Sequence, residues 1–125
     1  MDRPAAADEG VFKTVVAPAT REHPRNGEGD IVLLKDRRLM LVYSRFNAGA
    51  TADDSPAEIC RRYSPDLGKT WTGDEVLIPN DAMNLMSVSL LRLQNGEIML
   101  VFGRRVSNGD LRFHARFSTD EGKAW

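Results

Sequence analysis

Two polar stretches carry the residues whose types and spacing could do chemistry. The first reads Arg21-Glu-His-Pro-Arg-Asn-Gly-Glu-Gly-Asp30, the second Ser44-Arg-Phe-Asn-Ala-Gly-Ala-Thr-Ala-Asp-Asp-Ser-Pro56. Arg25 and Arg45 offer planar guanidinium forks, which hold anionic groups bidentately. Asp53 and Asp54 are adjacent like charges, and such proximity raises the pKa of one member, as a general acid requires. Each has a plainer reading as well. Arg25 can be a fold-stabilising arginine paired with Glu28 or Asp30, and the two aspartates can be a solvated turn before Ser55-Pro56. His23 and His114 belong to no metal-like cluster, so no metal or other cofactor is expected. Cys60 is the one cysteine, which excludes an intrachain disulfide and fits a small buried hydrophobe.

The elements that must position these residues read as β-strands. Ile31 to Lys35 and Leu39 to Ser44 are apolar runs separated by Asp36-Arg37-Arg38, a tight hairpin. Ala57 to Ser64 alternates, and Glu75 to Ile78 follows. Val88 to Leu93 and Ile98 to Phe102 repeat the hairpin around Gln94-Asn95-Gly96, whose Asn-Gly pair is a strong turn signal. Leu111 to Phe117 alternates again. Val11 to Val16 is a further candidate strand, followed by a polar loop from Pro18 to Gly29. The hairpins align with Leu39 opposite Ile98, an offset of 59 residues. A second alignment gives an offset of 54 residues, and the difference falls in an enlarged loop between Arg45 and Ala57. Repeat scaffolds put unit-specific insertions on their functional face, so chemistry is sought there.

That second alignment joins two copies of one nine-residue turn, 54 positions apart: Tyr63-Ser-Pro-Asp-Leu-Gly-Lys-Thr-Trp71 and Phe117-Ser-Thr-Asp-Glu-Gly-Lys-Ala-Trp125. Both read Ser-x-Asp-x-Gly-Lys-x-Trp. In each, the aspartate can accept backbone N–H groups, glycine permits positive φ, and tryptophan supplies area for packing. Ser64, Asp66, Gly68 and Trp71, with Ser118, Asp120, Gly122 and Trp125, therefore read as structural. Too few oxygen ligands alternate here for calcium. Thr70 in the first copy is Ala124 in the second, a lost hydroxyl.

The duplicated motif is the Asp-box, and on it the chain resembles the sialidase/neuraminidase-like BNR-repeat family of six-bladed β-propellers. The resemblance covers residues 21 to 125 and implies an all-β fold: a partial β-propeller of about two four-stranded antiparallel blades. Residues 1–20 would be a leader with a stray strand, 21–80 blade one with the first box, and 81–125 an incomplete blade two with the second. By position within the family, Arg25 and Arg45 match two arginines of a substrate-binding triad, and Asp53 or Asp54 the acid/base. Asn84 and Ser87 would approach the same rim from blade two and donate to sugar hydroxyls. Sialidases read Arg-Ile-Pro where this chain reads Arg25-Asn-Gly. The nucleophilic tyrosine, its glutamate partner and the two remaining triad arginines lie in later blades of the family, and neither Tyr43 nor Tyr63 matches that position. What the resemblance implies is the N-terminal part of a sialidase-like glycoside hydrolase, inactive when isolated, with a carbohydrate or glycoconjugate as partner and further blades to cover its open edges. The alternative is a non-catalytic propeller module that binds glycans or proteins.

Composition bounds the rest. Seventeen Lys and Arg against eighteen Asp and Glu give a formal charge of -1. The basic residues are interleaved with acidic and apolar ones, which argues against a nucleic-acid partner. No apolar run is long enough to insert in a membrane. The polar first residues contain no signal-peptide core, so a soluble chain is expected.

Overall fold

The computed structural model describes residues 10–47 and 49–125, and among them the only regular elements are seven β-strands in two antiparallel sheets. The first sheet has the order β1 (Asn26–Leu33), β2 (Leu39–Phe46), β3 (Ala57–Ser64) and β4 (Glu75–Ile78). The second has β5 (Asn84–Arg92), β6 (Ile98–Ser107) and β7 (Asp110–Ser118). Each is a meander, because every connection is a hairpin or a short loop between sequence neighbours. The leading nine residues and Ala48 lie outside the described residues.

The 59-residue repeat is preserved in register. Leu33 faces Leu39 in the first sheet, and Arg92 faces Ile98 in the second. Both hairpins close through the same two backbone bonds: Leu34 N–H to Arg38 O and Arg37 N–H to Leu34 O in one, Leu93 to Glu97 and Gly96 to Leu93 in the other. The left-handed position of that turn is Gly96 in the second hairpin, at φ 91°, but Arg37 in the first, at φ 72°. An L-residue pays a steric cost there that glycine avoids.

Alternation divides each strand between two faces. Met40 and Val42 of β2 and Ile59 of β3 turn toward Leu85, Val88 and Leu90 of β5 and Leu100 and Phe102 of β6, forming one core between the sheets. Twelve buried apolar side chains make this core, joined by partly buried Tyr63, Leu77 and Trp125. Cys60 is fully buried, and burial pushes its thiol up to about 12, as suits a packing residue.

Several boundaries differ from the sequence reading, that of β5 among them, which begins at Asn84 and not at Val88. Val11 to Val16 forms no strand. Val11, Phe12 and Val15 are exposed, and no neighbouring strand takes their backbone groups. Conversely, β1 begins at Asn26, inside the polar stretch read as loop. Its glycines permit the close approach: a Cβ on Gly27 would stand 2.3 Å from Ser44 Oγ, and one on Gly29 2.9 Å from Tyr43 Cβ. β6 likewise runs on through Gly103 to Ser107, where a Cβ on Gly103 would press Leu111 at 3.0 Å.

The two edge strands β1 and β5 are packed against each other and bonded across the gap. Asp30 Oδ2 accepts the Leu90 N–H at 2.8 Å, while its other oxygen accepts the Ile31 N–H. Both strands carry an irregularity at overlapping repeat positions, between Asn26 and Gly29 in β1 and between Met86 and Ser89 in β5. Such bulges redirect side chains and recur beside functional sites.

Candidate functional site

The enlarged loop from Asn47 to Pro56 lies beside the bulged ends of β1 and β5, and four side-chain bonds fix it. Arg25 donates to Thr51 O at 2.8 Å and to Asp53 Oδ1 at 2.7 Å. Its guanidinium lies 4.5 Å from the centre of the Phe46 ring, so stacking and ion pairing hold it together. From the second sheet, Asn84 donates both N–H groups to the loop, to Asp53 O and to Ser55 O. Within the loop, Asn47 N–H reaches Pro56 O and Ser55 N–H reaches Ala52 O.

The structure thus brings Arg25, Asp53 and Asn84 together. Asn84 is fully buried, so it anchors the loop instead of presenting donors to a ligand. Its Oδ1 has no partner among the described residues. Asp54 is exposed and makes no hydrogen bond to them. Ser87 is half-buried at φ 56° within the β5 bulge, a strained setting for a residue with a Cβ.

Arg45 is held elsewhere. It shares the Leu41 and Tyr43 face of β2, whereas Phe46, under the Arg25 guanidinium, belongs to the opposite face. Its fork spans Glu58 on β3 and Asp74 before β4, both at hydrogen-bond contact. Arg62 joins the same network, donating to Tyr43 Oη at 3.1 Å and approaching Asp74 at 3.5 Å. Burial favours the neutral form of Arg45, but the Glu58 and Asp74 carboxylates outweigh it and hold the guanidinium charged. Partial burial also pushes Asp74 up, yet the Arg45 hydrogen bond and the nearby Arg62 charge keep its carboxyl below the usual range. Against this network lies a cavity of about 220 Å³ that also reaches His23. His23 Nδ1 meets the Phe46 carbonyl at 3.1 Å.

Sequence reasoning treated Glu28 only as a charge beside Arg25. In the fold Arg25 takes Asp53, and Glu28 stands exposed without a bonded partner among the described residues. By the 59-residue repeat it occupies the same bulge position as Ser87. The glycines on either side of Glu28 were the available signal, since they allow the backbone to lie tight against β2 and turn the carboxylate outward.

No family model matches the chain, and no curated protein matches it. Among solved structures, it is similar to a crystal structure of a protein of unknown function from Dyadobacter fermentans, with a TM-score of 0.74 over 89% of the chain. The two are 20% identical, and the chain spans 37% of that protein's length. The likeness is one of fold.

The duplicated turns have one hydrogen-bond pattern. Ser64 donates to Asp66 at 2.9 Å and accepts the Gly68 N–H at 2.7 Å; Ser118 does the same to Asp120 and Gly122, both at 2.8 Å. Asp66 accepts the Thr70 N–H at 2.8 Å, and Asp120 accepts the Ala124 N–H at 2.9 Å. Each indole N–H closes the turn on the glycine carbonyl, Trp71 to Gly68 at 3.0 Å and Trp125 to Gly122 at 3.1 Å. Leu67 and Gly68, like Glu121 and Gly122, are left-handed in succession. The aspartates are consumed by their own turns. Among the described residues, no group of three or more His, Cys, Asp or Glu side chains could hold a metal ion, and no helix is long and apolar enough to cross a membrane.

Proposed function

We propose that this chain is the N-terminal part of a sialidase-like glycoside hydrolase built as a six-bladed β-propeller, acting on the terminal sugars of glycans. The observation that carries this reading is the duplicated Asp-box, in which two sequences with different variable residues make the same bonds after the third strand of successive sheets. A blade whose strands meander outward from an edge strand packed against that of its neighbour fits that architecture. The apolar outer faces agree with it as well: Leu91, Phe113 and Phe117 are exposed on the second sheet, Ile31 and Leu33 on the first. Further blades would cover them. The similar solved structure is longer than this chain, which spans 37% of its length.

In this reading the reacting sugar lies over the bulged ends of β1 and β5. Asp54 is the candidate acid, because Asp53 is engaged by Arg25. Exposed Glu28 and half-buried Ser87 are the polar groups nearest in the repeat, and Asn84 sets the height of the acid loop. Hydrolysis needs a second carboxylate or a nucleophile on the opposite side of the scissile bond, which other blades would supply. The test is turnover of a panel of sialosides and neutral glycosides by the full-length protein. Asp54→Asn should lower kcat/KM at least a hundredfold on the preferred glycoside, while changing unfolding free energy by less than about 0.5 kcal/mol. Undiminished turnover in that variant removes Asp54 from the mechanism.

The second reading, a glycan- or protein-binding module without catalysis, is favoured by the arginines. Arg25 and Arg45 both spend their charge on carboxylates of the chain itself. Binding of glycans by the same protein, with no turnover of any of them, would select it.

A further inference from the structure

A second cavity, of about 500 Å³, opens between the two sheets at the end of β4, away from the enlarged loop. Leu85 and Phe102 line it on the apolar side, and Asp81, Arg104, His114 and Arg116 on the polar side. The pairing of β6 with β7 creates this grouping. Phe102 faces His114, and Leu100 faces Arg116, so both β7 side chains stand on the face shared with the core. The cavity is far larger than a lone ion requires and falls within the size range of small-molecule pockets.

Its charges do not cancel. Arg104 Nε donates to Asp81 Oδ1 at 2.9 Å, and its terminal nitrogen to Asp81 O, so these two form a closed pair. That contact, chiefly its hydrogen bond, holds the Asp81 carboxyl below the usual range and keeps it ionised. Arg116 has no carboxylate or hydrogen-bond partner among the described residues. Its guanidinium instead lies 5.8 Å from the Phe102 ring centre. His114 stacks on that same ring, 5.7 Å between centroids and 19° from parallel. It too makes no hydrogen bond to the described residues, although an imidazole always carries at least one N–H. One net positive charge, a planar fork of donors and a further N–H therefore border an open volume.

We propose that this cavity binds a small ring-bearing carboxylate, with the carboxylate on the Arg116 fork and the His114 N–H and the ring in the remaining space. A single excess positive charge suits a monoanion, and guanidinium geometry suits the two oxygens of a carboxylate. The ring can belong to a sugar acid or to an aromatic acid. No residue of the enlarged loop lines the site, so its failure is distinguishable from failure of the proposed hydrolase activity.

Isothermal titration of the purified chain tests this with glucuronate and benzoate as probes, glucose and benzyl alcohol as neutral counterparts, and inorganic phosphate as a bare anion. Binding of glucuronate alone identifies the sugar-acid source, and binding of benzoate alone the aromatic one. Either should weaken at least tenfold in Arg116→Gln and remain unchanged in Arg112→Gln, whose guanidinium is already paired with Asp110. Thermal unfolding confirms that Arg116→Gln keeps the fold. If it does not, the Arg116 Nε–H resonance of the unaltered chain decides, a ligand-induced shift supporting the site and its absence overturning it. The proposal is also overturned if neither carboxylate binds, if a neutral counterpart binds as tightly as its acid, or if phosphate binds as well as both.

Discussion

The two Ser-x-Asp-x-Gly-Lys-x-Trp turns share a backbone and an internal bonding scheme, yet they are attached to the molecule differently. In the first, Thr70 Oγ1 donates to Asp66 Oδ2 at 2.6 Å, and Thr72 Oγ1 accepts the Tyr63 N–H, so the turn is secured by its own residues. Its variable position, Leu67, is exposed. In the second, Ala124 supplies no hydroxyl, and the position of Leu67 is taken by Glu121. That carboxylate receives both terminal nitrogens of Arg92, at 2.6 and 2.9 Å, and the backbone N–H of Lys35 at 2.9 Å. Arg92 in turn donates to Leu33 O, and Arg61 of β3 reaches Gly122 O at 2.7 Å. The first turn is self-contained, and the second is a latch between the sheets. The constant residues build the loop, and the variable ones decide what it holds.

The largest effect expected from this contrast concerns the indoles. Trp125 packs on the core between the sheets, and Trp71 is not one of the side chains packed there. A Cβ on Gly122 would lie 3.4 Å from the Trp125 ring and 3.1 Å from Met40 Sδ, against 3.8 Å from Trp71 at Gly68. Trp125→Ala should therefore cost about 3–4 kcal/mol and Trp71→Ala about 1–2 kcal/mol less. Denaturant unfolding of the two variants measures the difference, and equal losses would erase the distinction between latch and self-contained turn.

Next in size is the latch carboxylate. The Arg92 hydrogen bond, with help from the Lys35 N–H, lowers Glu121 from the ordinary 4.5 to about 2. A depressed acid stabilises the fold above its unfolded pKa, and that contribution is lost as pH falls through the folded one. Glu121→Gln should thus cost about 1–2 kcal/mol at neutral pH. Its stability should also fall less than that of the unaltered chain between pH 4.5 and about 2. Parallel pH profiles for the two would show that the carboxylate holds nothing.

The smallest expected effect lies inside the turns. Thr70→Ala removes one bond to Asp66 and should cost about 1 kcal/mol, and Ala124→Thr should return a similar or smaller amount to the second turn. Opposite signs would sharpen the view that the turns are interchangeable in their constant part. A destabilising Ala124→Thr would instead mean that the second turn has no room for the hydroxyl.

Local signals in the chain were enough for much of this architecture. The two hairpins, the alternation of β3 and β7 and the duplicated turn depend on interactions among residues close in sequence, so spacing and residue type expose them. The structural role of Asp66 and Asp120 was legible for the same reason, since each binds groups within four residues. The strand starting at Asn26 was hidden, because polar and glycine residues signal a loop unless a neighbouring strand demands their small size. The site was legible only as a set of candidates. Arg25 and Asp53 were named without their pairing, and Asn84 was named as a surface donor.

What the sequence by itself determined is the repeat: the order of strands, the turns that join them, and the loop enlarged in one copy. Only the tertiary structure decided which charges meet. Period-two alternation sends Arg45 to the face opposite the Phe46 ring that carries Arg25, and Glu58 and Asp74 claim it there. Packing of β1 on β5 brings Asp30 to Leu90 and seals Asn84 beneath the loop. Glu121 finds Lys35 across 86 residues of chain. Hydrogen bonds within a turn are fixed by backbone geometry over a few residues, whereas ion pairs between strands depend on how two sheets come to rest against each other.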